Sequence, residues 1–233
     1  MHVILMGAQG SGKGTQAARL APRLHLQHLS TGDLFRAAIA DGTSLGNQIQ
    51  AIYDRGDLVP DDLTVQLVGE RLEALAALRS EDGAVEGALF DGFPRTMPQA
   101  EGLQDLLEER SERITAVIEL SVPMERLVAR LAGRRVCAGC GATYHEVFNP
   151  PRQTGLCDEC GGSLIQREDD RPEPIKRRLA LYFEQTAPVL SFYRERDLLV
   201  EVDGDQPIDE VSDAIARAVT ERRDRLAGVA VQE

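Results

Sequence analysis

Residues 3–15 read Val-Ile-Leu-Met-Gly-Ala-Gln-Gly-Ser-Gly-Lys-Gly-Thr, an apolar run that passes directly into a glycine-rich stretch. The apolar run predicts a buried strand, and the glycines predict a loop whose backbone N–H groups converge on an anion. A helix after this loop would point its positive end into the same pocket. Lys13 would add a full charge, although the chain has only one other lysine, Lys176. The alternative is an ordinary glycine-rich turn, but the strand-before-helix context favours a phosphate-binding loop.

The end of this loop departs from the general phosphate-loop pattern, which has Ser or Thr directly after the lysine. Here Gly14 intervenes and the hydroxyl group is on Thr15. The sequence therefore predicts a variant of the phosphate loop. This variant narrows the set of protein families to which the chain can belong.

Length and composition are those of a globular protein. The chain has 233 residues, 42% hydrophobic and 27% charged, enough for one domain with insertions or for two small domains. The net charge of −12 argues against binding to a nucleic-acid polymer, which needs a basic surface. No apolar stretch approaches the roughly 18 residues of a membrane span. A strand at the very start leaves no room for a signal peptide, so we expect a cytoplasmic protein without membrane contact.

Short apolar runs alternate with helical patterns along the chain, which is typical of an α/β fold. Because these runs are almost wholly apolar, we expect a parallel five-stranded sheet covered by helices on both faces. Strands are predicted at 3–6, 27–29, 88–90, 116–120 and 198–202. Helices are predicted at 13–24, from 30, within 41–59, from 60, at 97–110, 123–132, 172–196 with a kink at Pro188, and 208–226, followed by a frayed tail at 228–233.

Four cysteines form two Cys-x-x-Cys pairs, Cys137 with Cys140 and Cys157 with Cys160. Each pair can present two thiolates to one tetrahedral ion, so the two pairs complete a closed structural zinc site. Disulfides are the alternative, disfavoured in a reducing compartment. The segment around the cysteines is rich in glycine and lacks periodicity, and it predicts a small inserted domain at about 133–170.

An acidic residue and a set of arginines fit phosphoryl chemistry. Asp91 follows a predicted strand, where it would hold Mg²⁺, although a turn-forming role is the simpler interpretation of one aspartate. Guanidinium groups match the charge of a transferring phosphoryl group. Any one arginine is more commonly a surface residue, but several lie where a loop meets a helix or strand. The candidates are Arg36, Arg95, Arg130, Arg134, Arg167 and Arg178.

Taken together, these motifs resemble the adenylate kinase family, in its long bacterial form with a zinc-bearing lid. The resemblance covers about residues 1–220, and the Asp-Gly-Phe-Pro-Arg run at 91–95 is very specific to nucleoside monophosphate kinases. The other matching motifs are the loop at 7–15, Ser30-Thr31-Gly32-Asp33 with Arg36, Gly133-Arg134-Arg135, Arg167-x-Asp169-Asp170, and Arg178.

This resemblance implies a P-loop NTPase-type core with two insertions. The core would comprise 1–29, 60–132 and 171–233, the AMP-binding helical insertion 30–59, and the zinc-binding lid 133–170. The implied reaction transfers a phosphoryl group from MgATP to AMP and gives two ADP. The implied partners are therefore ATP, AMP and ADP, with Mg²⁺ and a structural Zn²⁺, on a monomeric protein.

The resemblance also implies roles for single residues. For ATP these are Lys13 and the amides of Gly10, Ser11, Gly12, Gly14 and Thr15, with Arg134, Thr143, Tyr144 and Gln206. For AMP they are Thr31, Arg36, Asp57, Leu58, Val59, Gly92, Phe93, Pro94, Arg95, Gln99, Arg167 and Arg178. For catalysis they are Lys13, Asp91, Arg95, Arg130, Arg134, Arg167 and Arg178. The zinc ligands are Cys137, Cys140, Cys157 and Cys160.

Three positions depart from the family pattern. Gln9 stands where the family's loop often has proline, and we expect this to be tolerated. Asp57 stands where relatives are often basic, but only backbone contact is expected there. Cys160 stands where some relatives carry aspartate, and four cysteines should bind zinc at least as well.

Three other functions fit parts of the sequence. A kinase for another nucleoside monophosphate is the nearest, and a panel of acceptors would distinguish it. A zinc-ribbon binding module with a nucleotide-gated switch would need a basic or aromatic face, whereas 137–170 is acidic and poor in aromatics. A scaffold protein would give no reason for the phosphate loop, Asp91 and the arginines to occur together.

Overall fold

A parallel five-stranded sheet forms the centre of the protein. The structure is a computed structural model that describes residues 1–42, 44–54, 57–82, 85–167 and 170–229. With strands numbered along the chain, the spatial order is β2-β3-β1-β4-β8, and every neighbouring pair is parallel. The strands are β1 (His2–Met6), β2 (Leu26–Ser30), β3 (Gly87–Asp91), β4 (Ile114–Ser121) and β8 (Leu199–Asp203).

Helices cover both faces of this sheet, as predicted. They are α1 (Lys13–Arg23), α2 (Thr31–Ala40), α3 (Ser44–Asp54), α4 (Asp61–Asp82), α5 (Met97–Glu108), α6 (Met124–Ala132), α7 (Pro172–Leu181), α8 (Ala187–Glu195) and α9 (Ile208–Val229). A π-helical segment, Tyr182–Thr186, joins α7 to α8. None of the helices in the described ranges combines the length and the apolar character needed to cross a bilayer.

Alternate side chains of β1 pack into two different hydrophobic cores. Ile4 and Met6 pack in the core formed with α4, α5 and α8, whereas Val3 and Leu5 pack in the core formed with α1 and α9. All four side chains are buried because successive strand residues point to opposite faces and both faces are covered. The apolar run at the start of the sequence is therefore the central strand.

The cysteine-containing segment forms a second, antiparallel sheet that the sequence did not predict. Its strands are β5 (Arg134–Cys137), β6 (Thr143–His145) and β7 (Leu164–Ile165), in the order β6-β5-β7. Strands of two to four residues carry no recognisable alternation, so only their pairing identifies them. The boundaries proposed for the insertions at 30–59 and 133–170 stay predictions.

The structure bears on two predictions for the last helices, the kink at Pro188 and the frayed tail from Gly228. The kink predicted at Pro188 corresponds to the π-helical segment directly before α8, since a proline ring clashes with the carbonyl group four residues earlier and a wider turn relieves this clash. The frayed tail predicted from Gly228 is wrong for Gly228 and Val229, which are helical. A glycine costs only about 1 kcal/mol in a helix, and no proline follows to end it. Residues 230–233 lie outside the described residues.

Candidate active site

The loop between β1 and α1 has the backbone geometry of an anion-binding site. Gly10 has φ +86° and Gly12 has φ +101°, values that favour glycine. A Cβ atom on Gly10 would lie 2.9 Å from the carbonyl oxygen of Leu127 in α6. No side chain caps the start of α1 at Lys13, so its first N–H groups face the loop. The positive end of the helix is therefore available to a phosphate group.

Gly10 gives a prediction that tests this geometry through stability. We expect Gly10→Ala to lower the free energy of unfolding by about 2–4 kcal/mol, because the left-handed conformation and the close carbonyl oxygen both penalise a methyl group. Gly42→Ala is the matched control, since Gly42 has φ +64° but no heavy atom within 4 Å of the added Cβ. The control should lose only about 1 kcal/mol in urea unfolding. Equal losses would show that the contact with Leu127 imposes no cost.

Lys13 lies at the centre of a group of charges. Its Nζ donates hydrogen bonds to the carbonyl oxygens of Gly7 (2.6 Å) and Ala8 (3.0 Å). Burial lowers the pKa of Lys13 to about 8; the charge of Asp91 opposes this shift and nearby arginine charges add to it. Those arginines are Arg95, Arg178 and Arg134. Residues from four separate parts of the chain thus converge on one amine, and an anion bound there would relieve the excess positive charge.

Asp91 lies at the end of β3, beside the loop. A Cβ atom on Gly14 would be 3.4 Å from Asp91 Oδ2, and His28 Nε2 lies 3.5 Å from the same oxygen. Burial opposes ionisation of Asp91, but the contact with His28 and the charges of Lys13 and Arg95 hold its pKa below the usual value. An ionised carboxylate oxygen next to a phosphate loop is a suitable ligand for Mg²⁺ or for water bound to it.

Unpartnered buried polar atoms gather around the loop. In the described ranges, five buried side-chain atoms lack a hydrogen-bond partner. Four of them belong to the loop, to the first turns of α1 or to the residue beside Asp91, and the fifth is the hydroxyl of Tyr193. Native proteins seldom leave such atoms unpaired unless a ligand or water completes them. The four atoms are Gln9 Oε1, Ser11 Oγ, Gln16 Oε1 and His28 Nε2.

Three of the residues predicted for AMP, Thr31, Arg95 and Gln99, form a second cluster beside Gly92. The carbonyl oxygen of Gly92 accepts hydrogen bonds from Thr31 Oγ1 (2.9 Å) and Arg95 Nε (2.7 Å). Gln99 is buried, its Oε1 accepts from the Arg95 N–H (2.8 Å), and its Nε2 donates to Asp61 Oδ1 (2.8 Å). A carboxamide has two donors and two acceptor sites, so Gln99 keeps one of each for a ligand.

The other residues of this group have protein partners in the structure. Arg36 forms an ion pair with Asp33, and Asp57 forms one with Arg177 of α7. Leu58 is half-buried, and Val59 packs with Phe35 and Ile49. The ring of Phe93 is buried against Phe90, and the bond from Phe93 to Pro94 is cis. Any ligand contact of Phe93 must therefore come from its backbone.

A buried carboxylate, Asp170, brings two of the predicted arginines together. Its side chain is fully buried, it accepts a hydrogen bond from Arg134 Nε (2.7 Å) and another from the same guanidinium, and Arg178 lies 3.6 Å away. Arg167 lies close by in the chain, and its carbonyl oxygen accepts from the Asp170 N–H (3.1 Å). The sequence alone indicates no role for Asp170. Two adjacent aspartates, Asp169 and Asp170, were the hint in the sequence. Only the fold shows that Asp170 binds Arg134 and lies near Arg178.

Arg130 is not part of this arginine cluster in the structure. It donates to the carbonyl oxygen of Gly204 (2.9 Å) and to Asp205 (3.0 Å) in the loop after β8. Gln206 lies in the same loop and donates to Asp203 (2.6 Å). Arg130 lies in the last turn of α6. Its predicted contact with the phosphoryl group stays a prediction.

The four cysteines form a candidate metal centre. All four Sγ atoms lie within 4.8 Å of one another, with Cys137 to Cys160 at 3.4 Å and Cys140 to Cys157 at 3.5 Å. A tetrahedral Zn²⁺ with bonds of about 2.3 Å needs sulfur atoms about 3.8 Å apart, so the arrangement fits. A Cβ atom on Gly162 would lie 3.0 Å from Cys137 Sγ, which explains the need for glycine.

The electrostatics of the cysteines also suit a cation. A hydrogen bond from the Tyr144 hydroxyl, together with backbone N–H groups, lowers the pKa of Cys157 to about 6. At Cys140 a backbone N–H favours the thiolate, but the neighbouring sulfur atoms raise its pKa to about 12. A cation bound between the four sulfur atoms would favour the thiolate form of all of them.

Thr143 and Tyr144 lie on β6 in the second sheet. The Tyr144 side chain is buried, its hydroxyl is 3.4 Å from Cys157 Sγ, and it accepts from the Asp158 N–H (2.8 Å). Its side chain thus points into the cysteine cluster. The predicted contact of Tyr144 with ATP must therefore come from its backbone.

Comparisons with known proteins agree with this arrangement. The model of the family described as adenylate kinase matches residues 5–198. A protein of Oceanobacillus iheyensis named adenylate kinase is 51% identical over 211 residues, which are 91% of this chain and 95% of that protein. Adenylate kinases of Staphylococcus epidermidis (215 residues, 92% and 97% covered) and Staphylococcus aureus strain Mu50 (212 residues, 91% and 95% covered) are each 48% identical. The chain therefore belongs to the adenylate kinase family.

Proposed function

We propose that the protein catalyses the reversible reaction MgATP + AMP ⇌ MgADP + ADP by direct in-line transfer of the terminal phosphoryl group. The observation that carries this proposal is the convergence on Lys13 of the phosphate loop, Asp91, Arg95, Arg134 at the start of β5 and Arg178 of α7. Family membership supports the same reaction, since the matched relatives are named adenylate kinases.

The phosphate loop and Lys13 would hold ATP. The N–H groups of Gly10 to Thr15 would bind the β- and γ-phosphates of ATP. Lys13 would exchange its hydrogen bonds to the Gly7 and Ala8 carbonyl oxygens for an ion pair with these phosphates. Mg²⁺ would be held at Asp91, directly or through water, and would neutralise charge on the transferred group. Thr143, Tyr144 and Gln206 would line the ATP side through backbone groups.

The cluster around Gly92 would hold AMP. Arg36, Arg95, Arg167 and Arg178 carry charges suited to its phosphate, and Thr31, Gln99 and the backbone of 57–59 would meet its adenine. The AMP phosphate is already an anionic nucleophile, so no general base is needed. Catalysis would then consist of positioning and charge stabilisation, with Arg134 and Arg178 held ready by Asp170.

Two segments would exclude water, which would otherwise hydrolyse ATP. These are 30–59 over AMP and 133–170 over ATP, and zinc would make the second rigid without taking part in the chemistry. We also propose that the protein acts as a monomer in the cytoplasm, without binding nucleic-acid polymers or membranes.

The decisive experiment measures ADP formation from ATP with four acceptors side by side. We expect AMP to exceed CMP, UMP and GMP by at least about 100-fold in kcat/KM, because the Thr31 and Gln99 groups can pair with an adenine edge. A control without any acceptor reports hydrolysis and should remain near background. A preference for CMP or UMP would instead favour the alternative of another nucleoside monophosphate kinase.

A further inference from the structure

The buried carboxamide of Gln99 is held at both ends. Its Oε1 atom accepts a hydrogen bond from the backbone N–H of Arg95 (2.8 Å), and its Nε2 atom donates one to Asp61 Oδ1 (2.8 Å). Because Gln99 is only 2% exposed, water cannot readily replace either partner. The proposed function places Gln99 at the adenine of AMP but gives Asp61 no role.

The carboxylate of Asp61 is itself fixed in place. Asp61 is the first residue of α4, and its Oδ1 atom also accepts a hydrogen bond from the hydroxyl group of Thr96, the residue before α5 (2.8 Å). The oxygen of this hydroxyl accepts from the backbone N–H of Gln99 (3.3 Å), so its own proton remains for Asp61. These bonds join the first turns of α4 and α5 and hold the carboxylate against the carboxamide.

The two partners of Gln99 permit one orientation of its carboxamide. A carboxylate only accepts hydrogen bonds and a backbone N–H only donates them, so neither partner can change its role. A turn of 180° would place Oε1 against the Asp61 carboxylate and the NH2 group against the Arg95 N–H. Both contacts would be repulsive, and burial would prevent water from satisfying the groups involved.

A carboxamide with a fixed orientation can distinguish two kinds of purine. Among the described residues, Oε1 and Nε2 of Gln99 have one partner each, which leaves one acceptor site and one N–H for a ligand. Adenine presents a donor at N6 and an acceptor at N1, whereas a 6-oxopurine such as hypoxanthine or guanine presents an acceptor at O6 and a donor at N1. A carboxamide that pairs with one of these patterns must turn by 180° to pair with the other.

We propose that Asp61 is a specificity-determining positioning residue, which excludes 6-oxopurine monophosphates by preventing the Gln99 carboxamide from turning. With Asp61 in place, adenine meets an acceptor at N6 and a donor at N1, whereas a 6-oxopurine meets a like group at each atom. Asp61 acts through Gln99 and needs no contact with the nucleotide. The placement of adenine at Gln99 rests on the proposed function.

Asp61→Asn and Asp61→Ser test this role, because both new side chains can donate as well as accept and so permit either orientation. Inosine monophosphate (IMP) is the probe, since hypoxanthine has nearly the size of adenine but the opposite hydrogen-bonding edge. Because the Arg95 N–H still opposes the turned carboxamide, the ratio of kcat/KM for IMP to that for AMP should rise only about 10-fold. Asp62→Asn is the matched control, since Asp62 is the exposed next residue of α4, and it should keep the wild-type ratio.

A Gln99→Ala background shows whether Asp61 acts through the carboxamide. In this background Asp61→Asn should leave the ratio of IMP to AMP unchanged. A general loss of stability, measured as Tm, would affect both acceptors alike and would not move the ratio. Ratios within twofold of wild type in both Asp61 variants, or an equal rise in the Gln99→Ala background, would overturn the proposal.

Dissociation constants for AMP and IMP, from titration calorimetry on the same proteins, give the ratio without turnover. If the wild type binds AMP but forms no ADP, the proposed function fails while the binding ratio still tests Asp61. If ADP forms and the ratio does not respond to either Asp61 variant, the role of Asp61 fails alone.

Discussion

Lys13→Met is expected to lower kcat for ADP formation by at least about 1000-fold and, at the same time, to stabilise the nucleotide-free protein. The loss of rate follows from the proposed function, in which Lys13 would place its charge on the transferred phosphoryl group. The gain in stability follows because burial and three arginine charges disfavour the ammonium form in the absence of phosphate. Part of the side chain reaches solvent, so the gain should be on the order of 1 kcal/mol.

The pH dependence of stability gives this prediction a definite sign. The pKa of Lys13 is about 8 in the folded protein, below its ordinary value of 10.5. Between these two values the unfolded chain binds more protons than the folded one, so the free energy of unfolding rises with pH. Lys13→Met should remove this rise.

Urea unfolding of both proteins from pH 7 to 10.5 measures the effect. Lys176→Met is the matched control, because Lys176 is an exposed lysine on α7 that pairs with Glu173 in the same turn. The control should keep both activity and the pH dependence. A Lys13→Met protein with near-normal activity would show that the phosphate loop has been assigned wrongly.

Cys157→Ser is expected to produce the second large effect, a loss of the bound metal ion together with a fall in kcat of at least about 100-fold. Structural zinc in small domains contributes on the order of 10 kcal/mol to folding, and the small apolar cluster of the antiparallel sheet offers little to replace it. Arg134 begins β5 of this sheet, so its pairing with Asp170 would be lost as well.

The control for this substitution is Ser163→Ala, a change of similar size at an exposed position in the same segment. Metal content by elemental analysis should be one zinc per chain in the wild type and in the control, and near zero in Cys157→Ser. Thermal unfolding should show an early transition in the variant, whereas the parallel sheet unfolds at an unchanged temperature. Full activity without bound metal would contradict the assigned role of the cysteines.

Much of the fold follows from local sequence patterns. The central strand β1 was predictable because a run buried on both faces of a sheet must be apolar throughout. The two Cys-x-x-Cys pairs predicted one tetrahedral site because their spacing brings two sulfur atoms together within each turn. The structure confirms the parallel sheet and gathers the four sulfur atoms at one point.

Other features could not be predicted, because they depend on which elements meet in space. The sequence around Asp170 does not indicate that this residue binds Arg134 and lies near Arg178. Nor does the sequence around Asp61 indicate that its carboxylate accepts a hydrogen bond from the carboxamide of Gln99. The contact of Arg130 with the loop after β8 likewise joins two parts of the chain that are far apart in sequence. The short strands β5, β6 and β7 are stabilised by pairing and by the cysteine cluster, not by their own residue preferences.

The sequence by itself predicted a glycine-rich loop typical of phosphate binding after a buried strand, the Asp-Gly-Phe-Pro-Arg motif at 91–95 and a four-cysteine segment, because each depends on residues close together in the chain. The tertiary structure alone decided how these parts form one site. The parallel sheet places the ends of β1 and β3 side by side, and the packing of α6 and α7 against Ala8 brings the arginines towards the loop. Charges on Lys13, Asp91 and the arginines interact strongly because this packing holds them close together in a partly buried cleft.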